Sequence, residues 1–556
     1  MNLQSVFDLV QICHLKGVKH AVISPGSRNA ALTIAFSRHP EIECYSVPDE
    51  RSAAFIALGI SLKTKLPTVL ICTSGSAALN YAPAVAEAYF NQVPLLILSA
   101  DRPPEWIGQR DGQTIYQEQL FGNHVKKSLV FPSLEETEEG TALGHETINQ
   151  AINCCLEAEM GPVHINIPFR EPFYPTTEQG HNFSKSLPVF ISDNAPLNNW
   201  KSELKDLSNF SRVLIIVGQS TKDPSTIKLL TSLSIESKIP IVADVISNAH
   251  QVEDVISSQD VFLKGSKDTN LQPDLLITIG MSVISKNLKL FLRDLRPKAH
   301  WHVRQETKAP DTYLSLAKHF AVSEIDFLKE LEQIFVASDS QRTFQGEWSN
   351  IDSKTKKHIE HFGSDDISDF DCYKKVLHAL PSGSDLHLAN SMAVRYANVI
   401  GLSNDKDIEV YCNRGTSGID GSNSTAVGTA IVSQRPTFLL TGDMAFLYDR
   451  NGFWHNHVPE NLSIVVFNNH GGGIFRMIEG PSGQPELEEF FETHQQKDAS
   501  HVAKEFGFEY YPCTSLKELE QNLIPFVKTG KRKILEVFTD AEVSKNVYKE
   551  LFRSLS

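Results

Sequence analysis

The 556-residue sequence predicts an α/β protein of three doubly wound domains, each built on a parallel sheet. Three observations carry that expectation. Short β-branched runs alternate with longer helical patterns, as they do where parallel strands are covered by helices on both faces. Two polar stretches, Thr176 to Asn199 and Ser338 to Asp369, divide these runs into three sets. The first and third sets also echo each other. TVLICTSGSAALNYAPAVAEAYFNQVPLLILSAD and TFLLTGDMAFLYDRNGFWHNHVPENLSIVVFNNH both read as strand, glycine-containing turn, helical stretch and second apolar strand. Similar units arise by chance, so the echo alone is weak support for two alike outer domains.

In order, the first domain (1–180) has candidate strands at His20 to Ser24, Thr68 to Thr73, Leu95 to Ser99 and Val163 to Ile167. The central domain (195–337) has them at Val213 to Val217, Ile241 to Val245 and Leu275 to Ile279. The third (355–556) has Leu386 to Ala389, Glu409 to Tyr411, Phe438 to Leu440, Ile464 to Phe467 and Ile534 to Phe538. Sheets of this kind bind ligands at the carboxyl ends of their strands. Ser24-Pro25-Gly26, Ser74-Gly75-Ser76, Asn413-Arg414-Gly415 and Gly442-Asp443 would all lie there.

Composition narrows the function. The net charge is −15, and no basic run follows a phosphate backbone, which argues against a nucleic-acid partner. No apolar stretch is long enough to span a bilayer, so no membrane role is expected. The first residues show neither a basic leader nor a small-residue cleavage site. The eight cysteines are scattered without C-x-x-C spacing, as reduced core thiols are, and a cytoplasmic location is expected. Dinucleotide, P-loop, serine-hydrolase and zincin signatures are absent.

The sharpest chemical signal is Thr441-Gly442-Asp443 after one strand and Asn468-Asn469-His470-Gly471 after the next. One strand-helix-strand crossover separates them, so the two turns should be neighbours. A hard cation such as Mg2+ takes oxygen ligands, few from protein and the rest from phosphate and water. The Asp443 carboxylate, the Asn469 side-chain oxygen and the Gly471 carbonyl offer three. The plainer reading is that Asp443 caps a helix and Asn469 makes a turn.

With this spacing, Gly442-Asp443 followed by Asn468-Asn469 resembles the signature of thiamine-diphosphate enzymes, although Met444 stands where many members have a second glycine. The resemblance implies thiamine diphosphate held through Mg2+ (Mn2+ is a possible substitute) by Asp443, Asn469 and Gly471. It makes Glu50, in VPDERSAAFIALGIS, the carboxyl that activates the aminopyrimidine ring, and Ile419 the apolar prop that bends the cofactor. Otherwise Glu50 simply favours a helix N-terminus and Ile419 is a core residue.

SPGSRNAAL, DERSAAFIALG, CTSGSAALNYAPAVAEA, SADRPPEW, HINIPFREP, NRGTSGIDG and NNHGGGIF are similar to one branch of that family, the menaquinone-pathway synthases. The branch decarboxylates 2-oxoglutarate and adds the succinyl-derived carbanion to isochorismate. Both substrates are dianions, and the planar fork of arginine suits carboxylates. The resemblance implies Arg395 and Arg414 for the succinyl carboxylate, and Arg28, Arg102 and Lys286 for isochorismate. It places Ser27, Gln113 and Ser391 near substrate or cofactor, and makes Ile474 and Phe475 a wall that excludes water. Asn287 stands where a second cation is expected, which leaves the central domain's part open. The plainer reading of each arginine, less favoured here, is a surface or salt-bridge residue, and for Lys286 the two readings are nearly balanced. A homodimer or homotetramer is implied, because in relatives the glutamate domain of one subunit meets the metal domain of another. Another thiamine-diphosphate decarboxylase, an acetolactate-type synthase and a non-catalytic protein of this fold stay open.

Overall fold

The computed structural model describes residues 3–132, 137–171, 173–174, 182–190, 200–364, 366–528 and 530–555. The first sheet comprises β1 (His20–Ile23), β2 (Glu43–Ser46), β3 (Thr68–Cys72), β4 (Leu95–Asp101), β5 (Lys127–Val130) and β6 (Val163–Pro168). The second comprises β7 (Val213–Val217), β8 (Ile241–Ala243), β9 (Leu275–Ile279), β10 (Ala299–Val303) and β11 (Leu316–Phe320). The third comprises β12 (Ser384–Leu388), β13 (Ile408–Tyr411), β14 (Thr437–Gly442), β15 (Leu462–Asn468), β16 (Glu509–Cys513) and β17 (Lys533–Phe538). Every strand pairing is parallel.

The strand orders are β2-β1-β3-β4-β6-β5, β11-β10-β9-β7-β8 and β13-β12-β14-β15-β17-β16. Counted from the start of each domain, the first and third orders are the same, so the sequence echo marks two topologically equivalent domains. β3 and β4 correspond to β14 and β15, and each sheet reverses direction beside its first strand, where ligand crevices form.

Both faces of each sheet are covered, yet among the described residues the buried apolar clusters number five, because the inner faces of the first and third sheets share one. The shared core is filled by the helices Glu50–Thr64 and Ser422–Val432, which cross backbone to backbone. A Cβ on Gly59 would lie 2.1 Å from the Thr425 carbonyl oxygen, and one on Gly428 would lie 2.0 Å from that of Ile56. The Thr429 hydroxyl donates to the Gly59 carbonyl at 3.1 Å. Only glycine permits this approach.

The central domain docks on the exposed edge of the third sheet. Asn248 mimics a neighbouring strand, donating to the Val410 carbonyl at 2.9 Å and accepting from its N–H at 2.7 Å. The polar stretch from Ser338 to Asp369 is largely a 23-residue helix, Asp339–His361, with Ser338 accepting from the Gln341 N–H at its start. Its Phe344 and Trp348 enter a central-domain cluster and its Ile359 a third-domain cluster. Most of the other polar stretch, 176–199, lies outside the described residues. Among the described residues no helix is long and apolar enough to cross a membrane. All eight cysteines are free.

Candidate active site

In the third domain, β14 and β15 end side by side and bring Asp443 and the Asn469 turn to one sheet edge. Asp443 opens the helix Asp443–Tyr448 and is only 2% exposed. Burial pushes its carboxyl up to about 7, and the nearby Asp369 adds to the rise. Gln495 Nε2 donates to its Oδ2 at 2.7 Å. Asn469 gives its Nδ2 to Asp369 Oδ2 at 3.1 Å, and among the described residues its Oδ1 accepts no hydrogen bond. His470 takes a left-handed conformation at φ 64, which folds the turn back over the strand end. A Cβ on Gly471 would lie 2.9 Å from the Glu492 carbonyl oxygen, and the Gly471 carbonyl accepts from the Gly473 N–H at 3.0 Å.

This donor set fits a hard divalent cation. Two carboxyl groups, Asp443 and Asp369, stand buried; burial raises the pKa of both, and the Asp369 charge raises that of Asp443 further, the situation a bound cation relieves. Asn469 Oδ1 is a free oxygen donor beside them. Ile474 and Phe475 follow on the short helix Ile474–Met477, with Ile474 packed on the third-domain core and Phe475 5.8 Å from the Phe491 ring.

At the neighbouring strand ends of β12 and β13 stand the other third-domain candidates. Ser391 holds φ 69, a strained conformation for a residue with a Cβ, at the start of the helix Met392–Ile400 that carries Arg395. Arg395 donates to the Ser391 carbonyl, and Arg414 Nη1 to Asn390 Oδ1 at 2.9 Å. Burial lowers the Arg395 pKa, and the adjacent Arg414 lowers it further. Among the described residues neither guanidinium has a carboxylate in salt-bridge range. Ile419 lies half-buried on the third-domain core, just before the helix Ser422–Val432.

In the first domain the loops after β1, β3 and β4 interlock. A Cβ on Gly26 would meet Thr73, and one on Gly75 would meet the Gln113 backbone. Arg28, 7% exposed, donates to the Phe169 carbonyl at 3.2 Å and lies over the Phe173 ring. Its pKa is lowered by burial and then by Arg102, so these two also form a like-charged pair. Arg102 donates to the Gly112 carbonyl at 2.7 Å and stands 3.6 Å from Asp111. Ser27 is exposed, its carbonyl accepting from the Ala30 N–H. Glu50 is the first residue of its helix, behind the cap Asp49, whose side chain accepts from the Ser52 N–H at 3.1 Å. Burial raises the Glu50 pKa, and Asp49 raises it further against the lowering effect of the helix N-terminus.

In the central domain Lys286 is exposed at the start of the helix Lys286–Asp294. Asn287 is a staple rather than a free polar group: its N–H donates to Asp260 Oδ1 at 3.0 Å and its Nδ2 to the Asp260 carbonyl at 2.6 Å.

Sequence reasoning missed three carboxyl or amide groups that hold these turns. Asp369 and Gln495 grip Asn469 and Asp443. Glu87, 1% exposed, reaches from the first domain to accept from the N–H groups of Gly415 and Thr416, fixing the Arg414 loop. Nothing local in the sequence signals them.

The fold and these strand-end groups define a thiamine-diphosphate enzyme architecture. Residues 6–124 match the model described as "Thiamine pyrophosphate enzyme, N-terminal TPP binding domain", 189–388 the "Middle domain of thiamine pyrophosphate", and 401–537 the "C-terminal TPP binding domain". A Cytophaga hutchinsonii protein is 43% identical over 100% of this chain and 99% of its own length. A Flavobacterium psychrophilum protein is 41% identical over 99% and 98%, and a Porphyromonas gingivalis protein 36% identical over 100% and 97%. All three are named 2-succinyl-5-enolpyruvyl-6-hydroxy-3-cyclohexene-1-carboxylate synthase. The chain belongs to this synthase family of thiamine-diphosphate enzymes.

Proposed function

We propose that the chain is a transferase of menaquinone biosynthesis that decarboxylates 2-oxoglutarate and adds the succinyl-derived carbon to isochorismate. The product is the cyclohexene carboxylate for which its relatives are named. One observation carries the substrate assignment: two pairs of like-charged arginines, Arg28 with Arg102 and Arg395 with Arg414, stand partly desolvated at strand ends. Among the described residues Arg395 and Arg414 have no carboxylate in salt-bridge range, and Arg102 has Asp111 at 3.6 Å; desolvated like charges of this kind are stabilised by anions, and both substrates are dicarboxylates.

Thiamine diphosphate, when bound, supplies the electron sink for decarboxylation and carbon-carbon bond formation. Asp443, Asn469 and Gly471 would hold its metal, Mg2+ or Mn2+, through oxygen atoms. Glu50, its proton affinity raised by burial, would hold a proton at its carboxyl oxygen and share it with the aminopyrimidine nitrogen. Ile419 would support the bent cofactor. Arg395 and Arg414 would bind the distal carboxylate of 2-oxoglutarate, with Ser391 beside them. Arg28, Arg102 and Lys286 would take the carboxylates of isochorismate, with Ser27 and Gln113 as polar neighbours. Ile474 and Phe475 would keep water from the reacting carbon. The enzyme works in this reading as a cytoplasmic homodimer or homotetramer whose sites each draw Glu50 and Asp443 from two chains.

The test is 2-oxoglutarate consumption by purified protein with thiamine diphosphate and Mg2+, with and without isochorismate. Consumption that requires isochorismate is expected. Equal consumption without it, with an aldehyde released, would point to a simple decarboxylase and contradict the assignment.

A further inference from the structure

We propose that Asp369 is a positioning residue for the metal site, fixing the Asn469 amide so that its oxygen, not its nitrogen, faces the cation. The inference rests on the reading that Asn469 ligates a divalent metal, and adds a residue outside that ligand set.

An asparagine amide presents two chemically opposite ends, and one rotation about its terminal bond exchanges them. A cation tolerates only the oxygen. Asp369 opens the helix Asp369–Ala379, is 3% exposed, and has its own N–H held by the Ser544 hydroxyl at 3.0 Å. Its Oδ1 accepts from the Thr539 hydroxyl at 2.6 Å, which leaves Oδ2 for Asn469 Nδ2 at 3.1 Å. A carboxylate kept ionised by a cation beside it only accepts, so the amide meets it through nitrogen, and Asn469 Oδ1 is turned to the open side. Gly473 makes room for that orientation: a Cβ there would lie 2.8 Å from Asn469 Nδ2. Asp369 thus contributes a charge near the cation without ligating it, the role second carboxylates play behind metal-bound side chains.

The test is Mg2+ affinity at saturating thiamine diphosphate, read from the thermal shift as Mg2+ is titrated, so that no turnover is needed. In Asp369→Asn, residue 369 offers either an oxygen or a nitrogen, and the Asn469 amide loses its fixed sense. The apparent Mg2+ affinity is expected to fall by about 10- to 100-fold. The exchange Asp369→Asn with Asn469→Asp places a donor behind a carboxylate ligand, and is expected to recover most of that loss. A merely structural Asp369 would give no recovery on exchange. Unchanged affinity in Asp369→Asn, or a loss that the exchange leaves in place, would overturn the proposal. If Asp369→Asn does not fold, Thr539→Val carries the test: it releases Oδ1, and Mg2+ affinity should drop; no change would overturn the proposal. A wild-type protein that binds the cofactor with no dependence on Mg2+ would instead overturn the metal reading itself.

Discussion

Glu50 stands where a helix begins, half-buried, with an acidic neighbour, and both burial and that neighbour favour its protonated form. A carboxyl so placed holds its proton more readily than an exposed glutamate, as sharing that proton with a ring nitrogen requires. Glu50→Gln is therefore expected to bind thiamine diphosphate within a few-fold of wild type while turnover falls by about 10²- to 10⁴-fold, checked by calorimetry beside steady-state kinetics. His387 gives a second prediction at this scale. Its buried ring stacks on Tyr411 at 4.9 Å, and burial, helped by Lys63, brings its pKa down to about 3. The unfolded chain then binds the proton more tightly than the folded one. The stability involved is present above pH 6.5 and is lost as pH falls from there towards 3. Against His387→Phe, wild type is expected to lose about 1.4 kcal/mol between pH 7.5 and 5.5, measured by urea denaturation. Asp443 and Asn469 were legible in the sequence because their chemistry sits at strand ends in a fixed spacing. Asp369 was not: it meets Asn469 across 100 residues, and no local period records such a contact.

At the scale of elements, the central strands apart from β10 were legible, as were the edge strands β8 and β13, while four other edge strands were not. β3, β4, β9, β14 and β15 are apolar runs buried on both faces, as parallel interiors require. β2, β5, β11 and β16 end their sheets, are largely half-exposed, and carry Glu, Lys, His and Tyr in patterns that read as loop. β10, AHWHV, is fully buried but hides behind its histidines, which share the Thr278 hydroxyl at 2.8 Å from one nitrogen of each ring. The helix starting at Glu50 read from the sequence as an ordinary Ala-rich helix, yet its Gly59, with Gly428 of the helix Ser422–Val432, makes a close backbone contact between the outer domains. Gly428→Ala puts a methyl group against the Ile56 carbonyl, which must move. A loss of about 1–3 kcal/mol is expected, seen as a lower thermal midpoint, with cofactor binding weakened as the two domains shift.

At the scale of the molecule, two equivalent domains face each other across a shared core, and the chain's own contacts constrain where a complete site can form. Arg51 donates to the Tyr448 carbonyl and Asn451 to Asp49, so the start of the Glu50 helix lies by Tyr448. Asp443 is at the opposite end of the same six-residue helix, about 8 Å away by its rise. In the proposed homo-oligomer each Glu50 would serve the metal turn of a partner chain, as the family resemblance implies. This whole-molecule arrangement was not readable from composition or periodicity; only the family resemblance carried it. The decisive measurement mixes two inactive proteins, Glu50→Gln and Asp443→Ala, dissociates and reassociates them, and follows isochorismate-dependent consumption of 2-oxoglutarate. Random pairing should restore about one quarter of wild-type activity, because each mixed dimer contains one site with both groups intact. No activity from mixed dimers whose formation is independently verified would contradict the account that Glu50 and Asp443 act on one cofactor from two chains.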